Sequence, residues 1–167
     1  GAQVSLTVGA AGVGNASLWV GNGQNGTLNL DGANTSLTAA RLIVIGNGNN
    51  INRLATVNIT NGATMTATLG NISLGDSTNS ANSGIPAVLN VNGNVSVPSA
   101  GSDLVIGALA ATSSVSQTGG LISVADRIEI GSGSSAGSSF SISGGTTTHG
   151  GSFLVGLGTS TNAAANI

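Results

Sequence analysis

Six times along this chain a short aliphatic segment is closed by a glycine. The segments are SLWV, LIVI, NISL, DLVI, RIEI and SFLV, and the glycines are Gly21, Gly46, Gly75, Gly107, Gly131 and Gly156. The residues one and three places before each glycine are always apolar: Val20 and Leu18, Ile45 and Ile43, Leu74 and Ile72, Ile106 and Leu104, Ile130 and Ile128, Val155 and Phe153. Between them the residue varies, as Trp19, Val44, Ser73, Val105, Glu129 and Leu154. A constant apolar side alternating with a variable one is the signature of a strand that packs one face inward and turns the other out. The apolar runs are too short for helices and are rich in β-branched residues.

A second strand follows each glycine after a loop of variable length: TLNL, TVNI, VLNV, SVSQ, SFSI and AANI. Its inward pairs are Leu28/Leu30, Val57/Ile59, Leu89/Val91, Val115/Gln117, Phe140/Ile142 and Ala165/Ile167, with Gln117 the polar exception. Between them runs an outward column of Asn29, Asn58, Asn90, Ser116, Ser141 and Asn166. Stacked at the inter-strand spacing of about 4.7–4.9 Å, such amides come within hydrogen-bonding range of one another. A third strand follows a glycine-containing corner (Gly32, Gly62, Gly93, Gly120, Gly145) and is represented at the start of the chain by Val4–Val8. Its inward residues are Leu6/Val8, Leu37/Ala39, Met65/Ala67, Val95/Val97, Ile122/Val124 and Thr147/His149, and its outer side is mostly Ser and Thr.

Three strand types, each recurring six times, predict an all-β fold without helices. The expectation is a three-sided parallel β-helix, or β-solenoid, of about six turns. Residues 1–167 form one domain in this reading, with loop insertions near residues 9–16, 47–55 and 76–87. Composition agrees: charged residues are 5% and hydrophobic residues 40%, against roughly 25% charged in an ordinary domain. Disordered chains combine low hydrophobicity with high charge, which is the opposite combination. Three arginines, no lysine and a net charge of −2 leave no basic footprint for nucleic acid. No apolar run reaches the roughly 18 residues that a membrane-spanning helix needs.

Acid–base, nucleophilic and metal chemistry find little to work with. The acids are Asp31, Asp76, Asp103, Asp126 and Glu129, and only the last three are near one another in the column scheme. Asp103 and Arg127 share an outward column on successive turns, so an ion pair is favoured there over a catalytic carboxylate pair. His149 has no second histidine and no cysteine to work with, which deprives a metal site or a triad of partners. No catalytic, cofactor-binding or metal-binding residue is expected, and the chain is not read as an enzyme.

The pattern G-x-L-x-[VI]-G-x-G followed by [TS]-[LV]-N-[VI]-x-G-[GA] resembles the β-solenoid repeats of exported bacterial surface proteins. Autotransporter passenger domains and the large Gly/Asn/Thr-rich proteins with a PEP-type sorting signal carry such repeats. The resemblance covers essentially the whole chain. It implies an extracellular or cell-surface location in a bacterium and a structural role as stalk, adhesin or filament.

The order of the strands at the two ends suggests a mode of assembly. Ala165–Ile167 is a second strand, and Gly1–Val8 is a corner followed by a third strand. Placed end to end they rebuild the pattern seen at Thr56–Thr68. The expected partner is therefore another copy of the chain, stacked head to tail through Gly1, Ala2, Val4, Leu6 and Val8 on one side. The other side of that contact is Phe153, Val155, Ala165, Asn166 and Ile167. Trp19, Val44 and Leu154 are the candidates for lateral contact. The leading expectation is the subunit of an extracellular filament or sheath. The alternatives are a segment of a longer adhesin or stalk that contacts a surface or polysaccharide, and an ice-binding solenoid using the outward Ser/Thr column. No nucleic-acid partner, membrane insertion or cofactor is expected.

Overall fold

The computed structural model describes residues 1–6, 16–48, 51–76, 85–109, 112–133, 137–157 and 163–167. Most of the insertions near 9–16 and 76–87 lie outside these residues, as does Val8. The chain enters on β1 (Gln3–Leu6) and then coils through β2 (Ala16–Asn22), β3 (Gly26–Asp31) and β4 (Ser36–Ala39). The next two coils are β5 (Leu42–Asn47), β6 (Ala55–Thr60) and β7 (Thr64–Ala67), then β8 (Ile72–Leu74), β9 (Ala87–Val91) and β10 (Asn94–Val97). The fourth coil is β11 (Leu104–Ile106) with β12 (Ser113–Val124), and the fifth is β13 (Ile128–Ile130) with β14 (Ser139–His149). After them come β15 (Phe153–Val155) and β16 (Ala164–Asn166). The described residues thus make five complete coils, with β1 at one end and β15–β16 at the other as parts of a sixth.

Every strand pairing is parallel, and each strand pairs with its equivalent one coil away. The architecture is a β-solenoid. The reason lies in the one-sided apolar pattern: a strand that buries a single face has no partner within its own coil, and the next coil supplies one. The first face is the six-stranded sheet β2-β5-β8-β11-β13-β15. The glycine that closes each of its strands has φ between +67° and +80°. In this left-handed region a side chain would strain the backbone and glycine does not. That is why the same residue recurs at the same corner.

The second and third faces depart from three separate strands. In the fourth and fifth coils they are one continuous strand, β12 and β14, and the two faces join into a ten-stranded sheet. The corner survives as a register shift between Gln117 and Leu121. Gly120 and Gly145 turn the chain at positive φ without interrupting the ladder, in the manner of a bulge.

The predicted inward columns form the core. Ile43, Ile45, Val57, Ile59, Met65, Ile72, Leu74, Leu89, Leu104, Ile106, Ile122, Ile128, Ile130 and Phe140 belong to a single buried cluster. At the two ends the same columns are less covered. Leu18, Leu28, Ile142 and Phe153 are partly buried, and Val4 and Val155 are exposed. The first strand stands two residues away from the expected alignment: Val4 and Leu6, not Leu6 and Val8, lie opposite Leu37 and Ala39. A second expectation is overturned on the first face. The variable positions of the first face do not all look out, because Val44, Ser73 and Val105 are buried as well. The outer side of this sheet is covered in its central coils.

Candidate functional site

Among the described residues, many polar side chains reach across to the adjacent coil. On the second face the predicted column is in register throughout, as Asn29, Asn58, Asn90, Ser116, Ser141 and Asn166. Asn58 Nδ2 donates to Asn29 Oδ1 at 2.7 Å, and Asn90 Nδ2 donates to Asn58 Oδ1 at 2.8 Å. The ladder therefore has a polarity, with each amide giving its N–H to the coil nearer β3. Asn58→Ala removes two of these bonds. It is expected to cost about 1–3 kcal/mol at about 0.5–1.5 kcal/mol per bond. Ser141→Ala on the same column should stay within about 0.5 kcal/mol. Equal urea midpoints for the two variants would show that the amide bonds add nothing.

Corner residues that the column pattern did not single out do the same work. Asn47 Nδ2 donates to Asn22 Oδ1 at 3.1 Å, Asn25 Oδ1 accepts the Leu54 N–H at 2.9 Å, and Asn71 Oδ1 accepts the Asp103 N–H at 2.8 Å. The repeated Gly-Asn-Gly at 21–23 and 46–48 was the available signal for the first of these. Asp31 Oδ1 accepts from Thr60 Oγ1 at 2.7 Å and from Asn61 Nδ2 at 2.8 Å. These two bonds, that of Thr60 first, hold the Asp31 carboxyl below its ordinary value. Gln117, the polar residue on an inward column, is fully buried at the bulge. Its Nε2 donates to the Thr146 carbonyl at 2.9 Å and its Oε1 accepts from Thr147 Oγ1, so it straps the fourth coil to the fifth.

The ion pair foreseen between Asp103 and Arg127 is present. Arg127 Nη2 lies 3.2 Å from Asp103 Oδ2, and Nη1 lies 3.1 Å from Glu129 Oε1. The Arg127 N–H also donates to Asp103 Oδ1 at 3.0 Å. Asp103 first and Glu129 second raise the guanidinium pKa above its ordinary value. Arg127 thus draws together Asp103 of the preceding coil and Glu129 of its own. His149 ends β14 with Nδ1 2.9 Å from the Gly151 carbonyl oxygen and its ring 5.8 Å from that of Phe153. Among the described residues no group of three or more His, Cys, Asp or Glu stands close enough to hold a metal ion. No helix among them is long and apolar enough to cross a membrane.

Two further features are surfaces. On the third face, register places Thr38, Thr66, Ser96, Ser123 and Thr148 in one outward column. The companion column of Ser36, Thr64, Asn94, Leu121 and Thr146 is interrupted by Leu121, which is 40% exposed. At the β16 end the core opens into a hollow of about 350 Å³ lined by Ile142, Gly145, Thr146, Thr147, His149, Phe153 and Ile167. Of the residues expected at a head-to-tail contact, Gly1, Ala2, Val4, Val155, Asn166 and Ile167 are exposed, while Phe153 and Ala165 are half-buried. Val8 and the side chain of Leu6 lie outside the described residues. Of the lateral candidates Trp19 is 43% exposed and Leu154 is half-buried. Val44 is corrected: it is fully buried, and a covered side chain presents no lateral surface. Comparison with protein-family models, curated proteins and solved structures finds no match.

Proposed function

We propose that this chain is structural, the subunit of an extracellular filament or sheath built by stacking solenoids head to tail. The observation that carries this reading is the use made of polar groups. Asn29, Asn58, Asn90, Asn22, Asn47, Asn71, Gln117, Asp31 and Asp103 bond the next coil. They do not converge on a pocket where a substrate would be held. A rod that resists separation of its coils suits load-bearing. The likeness of its repeats to those of exported bacterial surface proteins supports a cell-surface setting. The hydroxyl columns of the third face favour the ice-binding alternative less, because Leu121 breaks one of the two.

Each face is six strands deep. Six rungs at about 4.7–4.9 Å give an expected axial rise of about 28–29 Å per subunit. Negative-stain microscopy and helical reconstruction of the purified protein measure it. Particles that stay monomeric over the micromolar range, or filaments of a clearly different rise, would sink the reading.

A further inference from the structure

We infer that Asn92 is a site of spontaneous self-modification, where the chain cyclises and the asparagine converts to aspartate and isoaspartate. The chemistry needs only water and hydroxide. Hydroxide takes the Gly93 N–H proton, the freed nitrogen attacks Asn92 Cγ, and Nδ2 leaves as ammonia with a proton from water. A second water opens the resulting succinimide at one of its two carbonyls. One opening gives aspartate, and the other gives isoaspartate, in which the main chain runs through the former side chain. A glycine after the asparagine has no Cβ to obstruct the approach.

The chain holds five such pairs: Asn22-Gly23, Asn25-Gly26, Asn47-Gly48, Asn61-Gly62 and Asn92-Gly93. In four of them the stacked coils hold a reacting group. The Gly23 N–H donates to the Asn47 carbonyl at 2.7 Å, and Asn22 Oδ1 accepts from Asn47 Nδ2, which occupies both of those side chains. The Gly26 N–H donates to the Leu54 carbonyl at 3.1 Å, while Asn25 Oδ1 accepts the Leu54 N–H. Asn61 Nδ2, the group that would leave, is held on Asp31 Oδ1 at 2.8 Å. Asn92-Gly93 is different. Among the described residues the exposed Asn92 side chain makes no hydrogen bond and the Gly93 N–H donates to nothing. Asn92 Oδ1 rests against Gly119 of the next coil, which has no side chain to crowd it. On either side the chain is anchored, because the Asn92 and Asn94 N–H groups donate to the Ile59 and Ala63 carbonyls, each at 2.7 Å. Isoaspartate inserts one more carbon between those anchors, whereas aspartate adds only a charge.

The test is to age the purified protein in warm, mildly alkaline buffer, with and without urea. Conversion at each of the five asparagines is then read by peptide fragmentation mass spectrometry. In native buffer Asn92 should convert about two- to tenfold faster than any of the other four, the factor set by one hydrogen bond that must first be broken. In urea the five rates should converge, because only the local Asn-Gly chemistry is then left. Asp31→Ala releases the Asn61 amide and should raise conversion at Asn61 by about two- to tenfold while leaving Asn92 unchanged. Asn92→Gln should leave the native protein without a leading site. A native Asn92 rate no higher than the others, a lead that persists in urea, or an Asn61 rate untouched by Asp31→Ala would each overturn the assignment.

Discussion

Gly120→Ala is expected to destabilise the solenoid by about 2–5 kcal/mol, while Gly101→Ala is expected to cost about 1–2 kcal/mol. Both glycines lie at positive φ, +67° and +79°, so both substitutions carry the left-handed penalty of about 1–2 kcal/mol. They differ in what the new methyl meets. At Gly101 it finds nothing within 4 Å, whereas at Gly120 it overlaps the carbonyl oxygen of Gly93 on the preceding coil. That oxygen has little freedom to retreat, because it accepts the Leu121 N–H at 3.0 Å. Relief therefore requires opening the ladder between the third and fourth coils, and overpacking of this kind adds about 1–3 kcal/mol. Urea titrations of the two variants isolate the stacking contribution as their difference. Equal midpoints would mean that the corner glycines serve the turn alone and not the close approach of coils.

Ile59→Asn is expected to cost about 3–5 kcal/mol and to leave the rod poorly folded at moderate urea. Ile59 is fully buried on an inward column between Leu30 and Val91. Removing its branched side chain loses roughly 2–5 kcal/mol of burial and packing, and the amide brought in adds an unsatisfied group worth about 1–3 kcal/mol. Part of the first loss is offset by the volume of the asparagine. Thr66→Ser, on the outward column of the third face, should fall within about 0.5 kcal/mol of the parent. A comparable loss for Thr66→Ser would show that the two sides of the strands are not distinguished as burial indicates.

These two variants mark the boundary between what the sequence determined alone and what the tertiary structure decided. Period two and repetition placed Ile45, Ile59, Met65 and Ile122 inside. The repeats also aligned Asn29 with Asn58 and Asn90, and Asp103 with Arg127, because equivalent positions of successive coils must stack in a parallel ladder. Both facts are local pattern multiplied by symmetry, and neither requires knowing how long a loop is. The burial of Val44, the fusion of two faces in β12 and β14, and the partners of Asn71 and Gln117 were not legible in that way. Each depends on which atoms stand opposite on another coil, at a corner whose length varies. Gln117 meets Thr146 across 29 residues and Asn71 meets Asp103 across 32, whereas Asn47 and Asn22 are register partners at the ends of β5 and β2 that the repeated Gly-Asn-Gly aligns. A side chain at a corner has no fixed column, so its hydrogen-bond partner is settled by how the coils close in space. The inward columns needed only the alternation of a strand, whereas the corners needed the coils brought together.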